Sequence, residues 1–233
     1  VQRVMSDVLH ASATLTESIS SVFTIWGGKF NGIILALIMG LNISLTPNLV
    51  ESFTKDDIKD VTSKINKSLE LILFIIVPLT LFISAFSGPI WTMFYGKSFL
   101  GSDVYNYFVF YALFGGIFTV IVNILQSLSK YKILFTSVIS GIVINLVLDI
   151  PLMYVFNILH SEAFYGAILA TFLGLITSLI ISFKSLKKEL NFNYNETLNL
   201  LPKVILRILV LIIIDKLISL ILPINSPRRI IQI

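Results

Sequence analysis

Residues 141–171 read GIVINLVLDIPLMYVFNILHSEAFYGAILAT. An apolar run carrying Asn145, Asp149 and Pro151 meets a short polar loop, and a second apolar run opens at Gly166-Ala167. Runs of roughly 20 such residues cross the ~30 Å hydrocarbon core of a bilayer as helices. A carboxylate in such a run is costly unless it is paired or wetted, so Asp149 points to a protein that handles something polar.

The rest of the chain has the same character. Of its 233 residues 56% are hydrophobic and 13% charged, and the mean hydropathy is +0.92, outside the balance of soluble domains. Six runs are long enough to span: 30–50, 69–90, 104–128, 133–156, 163–183 and 204–222. They are too continuously apolar for barrel strands, which alternate lipid-facing and lumenal residues. The expected fold is therefore an all-α integral membrane protein with six transmembrane helices in a domain over 28–222.

Residues 1–27 are interrupted by Arg3, Asp7, His10 and Glu17, while Val8, Leu15, Ile19, Val22, Phe23 and Trp26 recur at helical spacing. This pattern suits an amphipathic helix in the interface, with Trp26 at headgroup level and a break at Gly27-Gly28. Trp91 and Tyr95 form a second aromatic feature on the side expected for Trp26, because the first two spans run antiparallel. Between those spans Ile58, Val61, Ile65 and Leu69 predict a short surface helix that feeds the second span.

The net charge of +4 does not indicate a nucleic-acid partner, because the basic residues lie between spans. Connections 51–68, 129–132 and 184–203 hold 10 lysines, whereas 91–103 and 157–162 hold only Lys97. The positive-inside rule places the lysine-rich side in the cytoplasm. The first span then runs inward, so a chain with a cytoplasmic N-terminus needs an odd number of earlier spans. The expectation is a piece of a longer protein, with a truncated tail at 223–233.

Asn145 and Asp149 stand four apart and share a helix face, which suits a cation, proton or substrate site, or a bond to a neighbouring helix. Lys29 fits either a snorkelling lysine or a point charge that attracts a phosphate. Asn42, Asn123 and Gln126, with Asp215 and Lys216 in the last run, are candidate cavity or helix-packing polar residues. Gly40, Gly115, Gly116, Gly141, Gly166 and Gly174 are expected at helix contacts. There is no Walker loop, HExxH, nucleophile elbow or metal-ligand cluster, and no cysteine, so neither an enzyme nor a bound metal or cofactor is expected.

Three stretches carry a resemblance: SLTPNLVESFTKDD at 44–57, KINKSLELILFIIVPLTLFISAFSGPIWTMFYG at 64–96, and NLVLDIPLMYVF at 145–156 with YGAILATFLG at 165–174. Together they resemble the multidrug/oligosaccharidyl-lipid/polysaccharide exporter superfamily, and within it the SpoVB/YtgP-type polysaccharide-biosynthesis branch that includes MurJ-like lipid II flippases. The resemblance implies a two-lobed transporter of the bacterial cell membrane, of which this chain is the second lobe from its second helix onward plus a thirteenth helix. Its implied partners are the N-terminal lobe, membrane lipids and a lipid-linked oligosaccharide, a polyprenyl pyrophosphate sugar. Lys29 would match a cavity cation for the pyrophosphate, with Asn145 and Asp149 as further substrate-binding candidates. A cation-coupled multidrug exporter using Asp149 and a non-transporting membrane scaffold are the alternatives.

Overall fold

The computed structural model describes residues 13–96 and 99–190, with Met5, Pro202 and Val210 as isolated positions. The expected sixth span, with Asp215 and Lys216, and the tail at 223–233 lie outside those two segments. Among the described residues every regular element is helical. The order is α1 (Ala13–Ser21), a π-helical turn (Val22–Trp26), α2 (Gly27–Thr54), α3 (Ile58–Ala85), α4 (Ser87–Tyr95), α5 (Phe99–Phe108), α6 (Phe110–Ser127), α7 (Tyr131–Ile158) and α8 (Phe164–Leu190). Helices α2, α3, α7 and α8, and α5–α6 taken together over Gly101–Ser127, are long and apolar enough to cross a membrane.

The helix boundaries depart from the sequence reading in three places. Gly27-Gly28 does not break the chain, which stays helical from α1 into α2. The Gly27 N–H bonds the Val22 carbonyl and closes the wide π turn. A Cβ on Gly27 would lie 2.7 Å from that carbonyl and 3.1 Å from the rings of Tyr105 and Phe108, so glycine lets the turn approach α5. The surface helix at 58–68 is not separate from the second span: α3 is one helix whose first turn is capped by the Asp57 side chain, which accepts from the Asp60 N–H at 3.0 Å. That span ends at Ala85, before Ser87-Gly88-Pro89, and a new helix starts there. Pro89 is tolerated in the first turn of α4, where backbone donors lack helical partners anyway.

Three hairpins close on one device. Asp56, Ser129 and His160 adopt φ of 54–55° just past the ends of α2, α6 and α7. In each case the next residue's N–H reaches back to the helix: Asp57 to Ser52 O at 3.1 Å, Lys130 to Leu125 O at 2.7 Å and Ser161 to Phe156 O at 2.9 Å. These are Schellman endings, with a left-handed residue that is usually glycine.

Helix α6 is the hub, packing against α2, α3, α7 and α8. Gly116 lies at this crossing, where a Cβ would collide with the side-chain tip of Ile38 of α2 and come within 2.7 Å of that of Ile76 of α3. Two apolar clusters stack along the helices. One joins Leu49, Val61, Ile65, Leu128 and Leu186 at the lysine-rich end. The other joins Trp91, Tyr105, Met153 and Phe164 at the opposite end. The lysine-rich connections thus gather together, and Lys130 in the α6–α7 turn pairs with Glu189 at the end of α8 at 2.5 Å. At the other end Trp26 meets Tyr95 edge-on at 4.3 Å between ring centroids, and the Tyr95 hydroxyl donates to the Trp26 carbonyl at 3.2 Å, as the shared-side reading expects.

Candidate substrate-facing surface

Two exposed faces of this lobe differ in chemistry. Helix α7 presents large apolar side chains, among them Phe135, Ile139, Ile142, Leu146, Val147 and Ile150. Lipid tails accept such a face without further partners. Helix α2 also exposes large apolar side chains, Ile33, Leu37 and Met39. Between them runs a stripe of Lys29, Gly32, Ala36, Gly40, Ile43 and Pro47 at steps of three and four, all exposed and, Ile43 apart, without a large apolar side chain. A Cβ added at Gly32 or Gly40 would touch nothing. Gly40 is therefore not a helix contact within these described residues, contrary to the reading from sequence. By contrast Gly116, Gly141, Gly166 and Gly174 sit at close contacts, and Gly115 meets only the Tyr111 ring at 3.7 Å.

Near its lysine-rich end, α2 becomes polar. Pro47 leaves the Ile43 carbonyl without its usual helical donor. The flanking carbonyls gain side-chain donors, Thr46 Oγ1 to Asn42 O at 3.0 Å and Asn48 Nδ2 to Ser44 O at 2.9 Å. Asn123 of α6 donates to Thr46 Oγ1 at 2.8 Å, so it joins α6 to α2, while Gln126 is exposed. Asn42 is 7% exposed and its buried Oδ1 accepts no hydrogen bond. Asn31, which the sequence reading passed over, is also buried in α2 and donates to the Phe108 carbonyl at 3.3 Å. Its place on the same four-residue spacing as Gly27 was the available signal.

Asn145 and Asp149 lie elsewhere. Ser137, Gly141 and Asn145 line the edge of α7 that meets α8, and Asn145 Nδ2 donates to Thr171 Oγ1 of α8 at 3.1 Å. Asp149, one turn further on, is half-buried. Lys29 is on α2, which packs against α3 and α6, whereas α7 packs chiefly on α8. The three substrate-binding candidates therefore do not come together: Lys29 is on the open α2 face, Asn145 is in the α7–α8 seam, and Asp149 is one turn beyond it on α7.

A model of the MatE family matches residues 17–150. Among curated proteins, the lipid II flippase MurJ of Bacillus subtilis (strain 168) is 33% identical over 184 residues, which cover 77% of this chain and 33% of that protein. The chain thus spans about a third of the length of that relative. No solved structure gives a significant match. The family match extends over more than half of the chain, whose described residues form only helices, with five stretches long and apolar enough to cross a membrane, so the chain belongs to the MatE family, in the multidrug/oligosaccharidyl-lipid/polysaccharide exporter superfamily.

Proposed function

We propose that this chain is the C-terminal lobe of a flippase that carries a lipid-linked oligosaccharide precursor across the bacterial cell membrane. Its cargo is a polyprenyl pyrophosphate sugar of the lipid II or polysaccharide repeat-unit kind. The similarity to a lipid II flippase supports the class of cargo. The observation that carries the reading is the α2 stripe, where Lys29, Gly32, Ala36, Gly40 and Pro47 stand exposed with Ile43 as its one large apolar residue, between flanking Ile33, Leu37 and Met39. A polar cargo passing between two lobes needs a face of low bulk, whereas a lipid-facing helix does not.

In this reading α2 faces the N-terminal lobe, and the lobes rock about a central site to expose it to each side in turn. Connections 51–68, 129–132 and 184–203 are cytoplasmic. Residues 1–27 form an interfacial entry to the transmembrane domain at 28–222. Lys29 lies at the outer end of the stripe and meets the pyrophosphate as a compact cation. The test is replacement of a depleted lipid II flippase by the full-length protein. Restored delivery of precursor to the outer leaflet supports the reading, and undiminished precursor accumulation at normal expression contradicts it.

One observation favours a second reading. Asp149 is a half-buried carboxylate within a membrane-crossing helix, as a cation-coupled exporter requires. Asp149→Asn separates the two, since dye efflux lost with precursor flipping intact selects the exporter.

A further inference from the structure

At the lysine-rich end of the lobe, side chains of α2 and α3 line a groove of about 220 Å³. That is several times the ~30 Å³ occupied by a water molecule in the liquid. One part is apolar, with Leu45, Leu71 and Ile72, and the other is polar, with Asn48, Lys64 and Lys67. Residues 64, 67 and 71 follow one another on a single face of α3, so the cations stand above the apolar wall along the helix.

The two lysines are held differently. Lys64 pairs with Asp60 at 2.6 Å and donates to Ser52 Oγ at 2.5 Å and to the Asn48 carbonyl at 3.0 Å. This network ties α3 to α2 and fixes the groove's rim. Lys67, one turn nearer the apolar wall, is exposed. Asp60 balances one of the two ammonium groups, and Glu51, which also lies near Lys64, is itself paired with Lys55, so the rim keeps one excess positive charge. A free anion would gain nothing from Leu45, Leu71 and Ile72, and a zwitterionic headgroup would bring no net charge to the rim. A phosphate attached to hydrocarbon matches both halves.

We propose that this groove binds an anionic phospholipid, with Lys67 holding the phosphate, the Lys64 network shaping the rim, and Leu71 with Leu45 receiving the first part of the acyl chain. The groove borders the inner end of the α2 stripe through Ser44 and Asn48, but its binding of lipid does not depend on what the transporter carries. A lipid held there would bridge the inner ends of α2 and α3.

The experiment measures lipid retained by the full-length protein in native mass spectrometry, using phosphatidylglycerol, phosphatidylcholine of the same chains, and inorganic phosphate as competitor. Lys67→Gln is expected to lower phosphatidylglycerol retention about fivefold, the contribution of one basic residue at an anionic surface. Lys67→Arg is expected to restore it, and Lys188→Gln, at the exposed end of α8, to leave it unchanged. Phosphatidylcholine retention should not respond to Lys67→Gln, and inorganic phosphate at constant ionic strength should not displace the lipid. Equal losses from Lys67→Gln and Lys188→Gln would reduce the groove to diffuse surface charge and overturn the proposal. Displacement by inorganic phosphate, or equal retention of phosphatidylcholine, would overturn it as well. A failure to flip precursor would leave these results unaffected.

Discussion

Gly141 of α7 and Gly174 of α8 face each other so closely that a Cβ on either would lie 2.7 Å from the other's carbonyl oxygen. Four residues away on each helix, the Ser178 hydroxyl donates to the Ser137 carbonyl at 2.9 Å. Further along the seam, a Cβ on Gly166 would run into the backbone of Leu152 and Met153. Buried Gly166, Ala170, Gly174, Ser178 and Ser182 recur every four residues on α8. Without a hydrophobic drive between helices in lipid, such close backbone approach supplies the packing that joins them.

Gly166→Ala and Gly141→Ala should therefore destabilise the protein by about 1–3 kcal/mol each, the usual cost of overpacking, because the obstacle at both sites includes backbone. Gly40→Ala should change stability little, since its Cβ would meet open space. Thermal unfolding of the full-length protein in detergent measures all three. Equal effects at Gly40 and Gly166 would contradict the assignment of the seam.

Ser129→Gly and His160→Gly should each stabilise by about 0.5–1 kcal/mol. A left-handed conformation costs a non-glycine residue roughly 1–2 kcal/mol, part of which is returned as glycine's larger unfolded-state entropy. Both residues hold φ near 55° in exposed Schellman endings. The same melts test this, and a loss of stability would show that their side chains contribute more than the strain they bear.

Asn145→Leu removes the bond to Thr171 across the seam. Hydrogen bonds between membrane helices average about 0.6 kcal/mol, with a maximum near 1.7. The expected outcome is a stability loss of that size with precursor flipping retained. Flipping abolished at unchanged stability would return Asn145 to the list of substrate ligands.

Lys29→Gln should lower flipping at least about tenfold, the effect of losing a hydrogen bond to a charged group worth roughly 1.5–3 kcal/mol. Lys29→Arg should retain most activity, since it keeps the cation. Stability should barely move, because the side chain is exposed. Unaltered flipping by Lys29→Gln would leave a lysine that merely snorkels to the interface.

The spans and their common polarity were legible in sequence because hydropathy and lysine placement act over whole segments. The Lys130–Glu189 pair joins two connections that the lysine count had put on one side. Local continuity was harder to read. Gly27-Gly28 resembles a break, yet the missing Cβ serves a π turn packed on α5. Asp56, Ser129 and His160 gave no glycine signal for the turns they make. Asn145 and Asp149 share a face, as their spacing requires, but spacing does not say what a face meets. Only the fold puts Asn145 against Thr171, and the α2–α3 groove needed Lys64 and Lys67 to be seen beside Asn48.

The central claim is that the α2 stripe faces water and cargo while α7 faces lipid. It is tested most directly by thiol labelling in the full-length protein on a background free of other cysteines, to which residues 1–233 contribute none. A thiol needs water to ionise and react. Gly40→Cys is predicted to react with a charged, membrane-impermeant maleimide, faster from one side and more slowly when lipid-linked precursor is bound, while Ile142→Cys stays unreactive. Gly40→Cys as inert as Ile142→Cys would contradict the account.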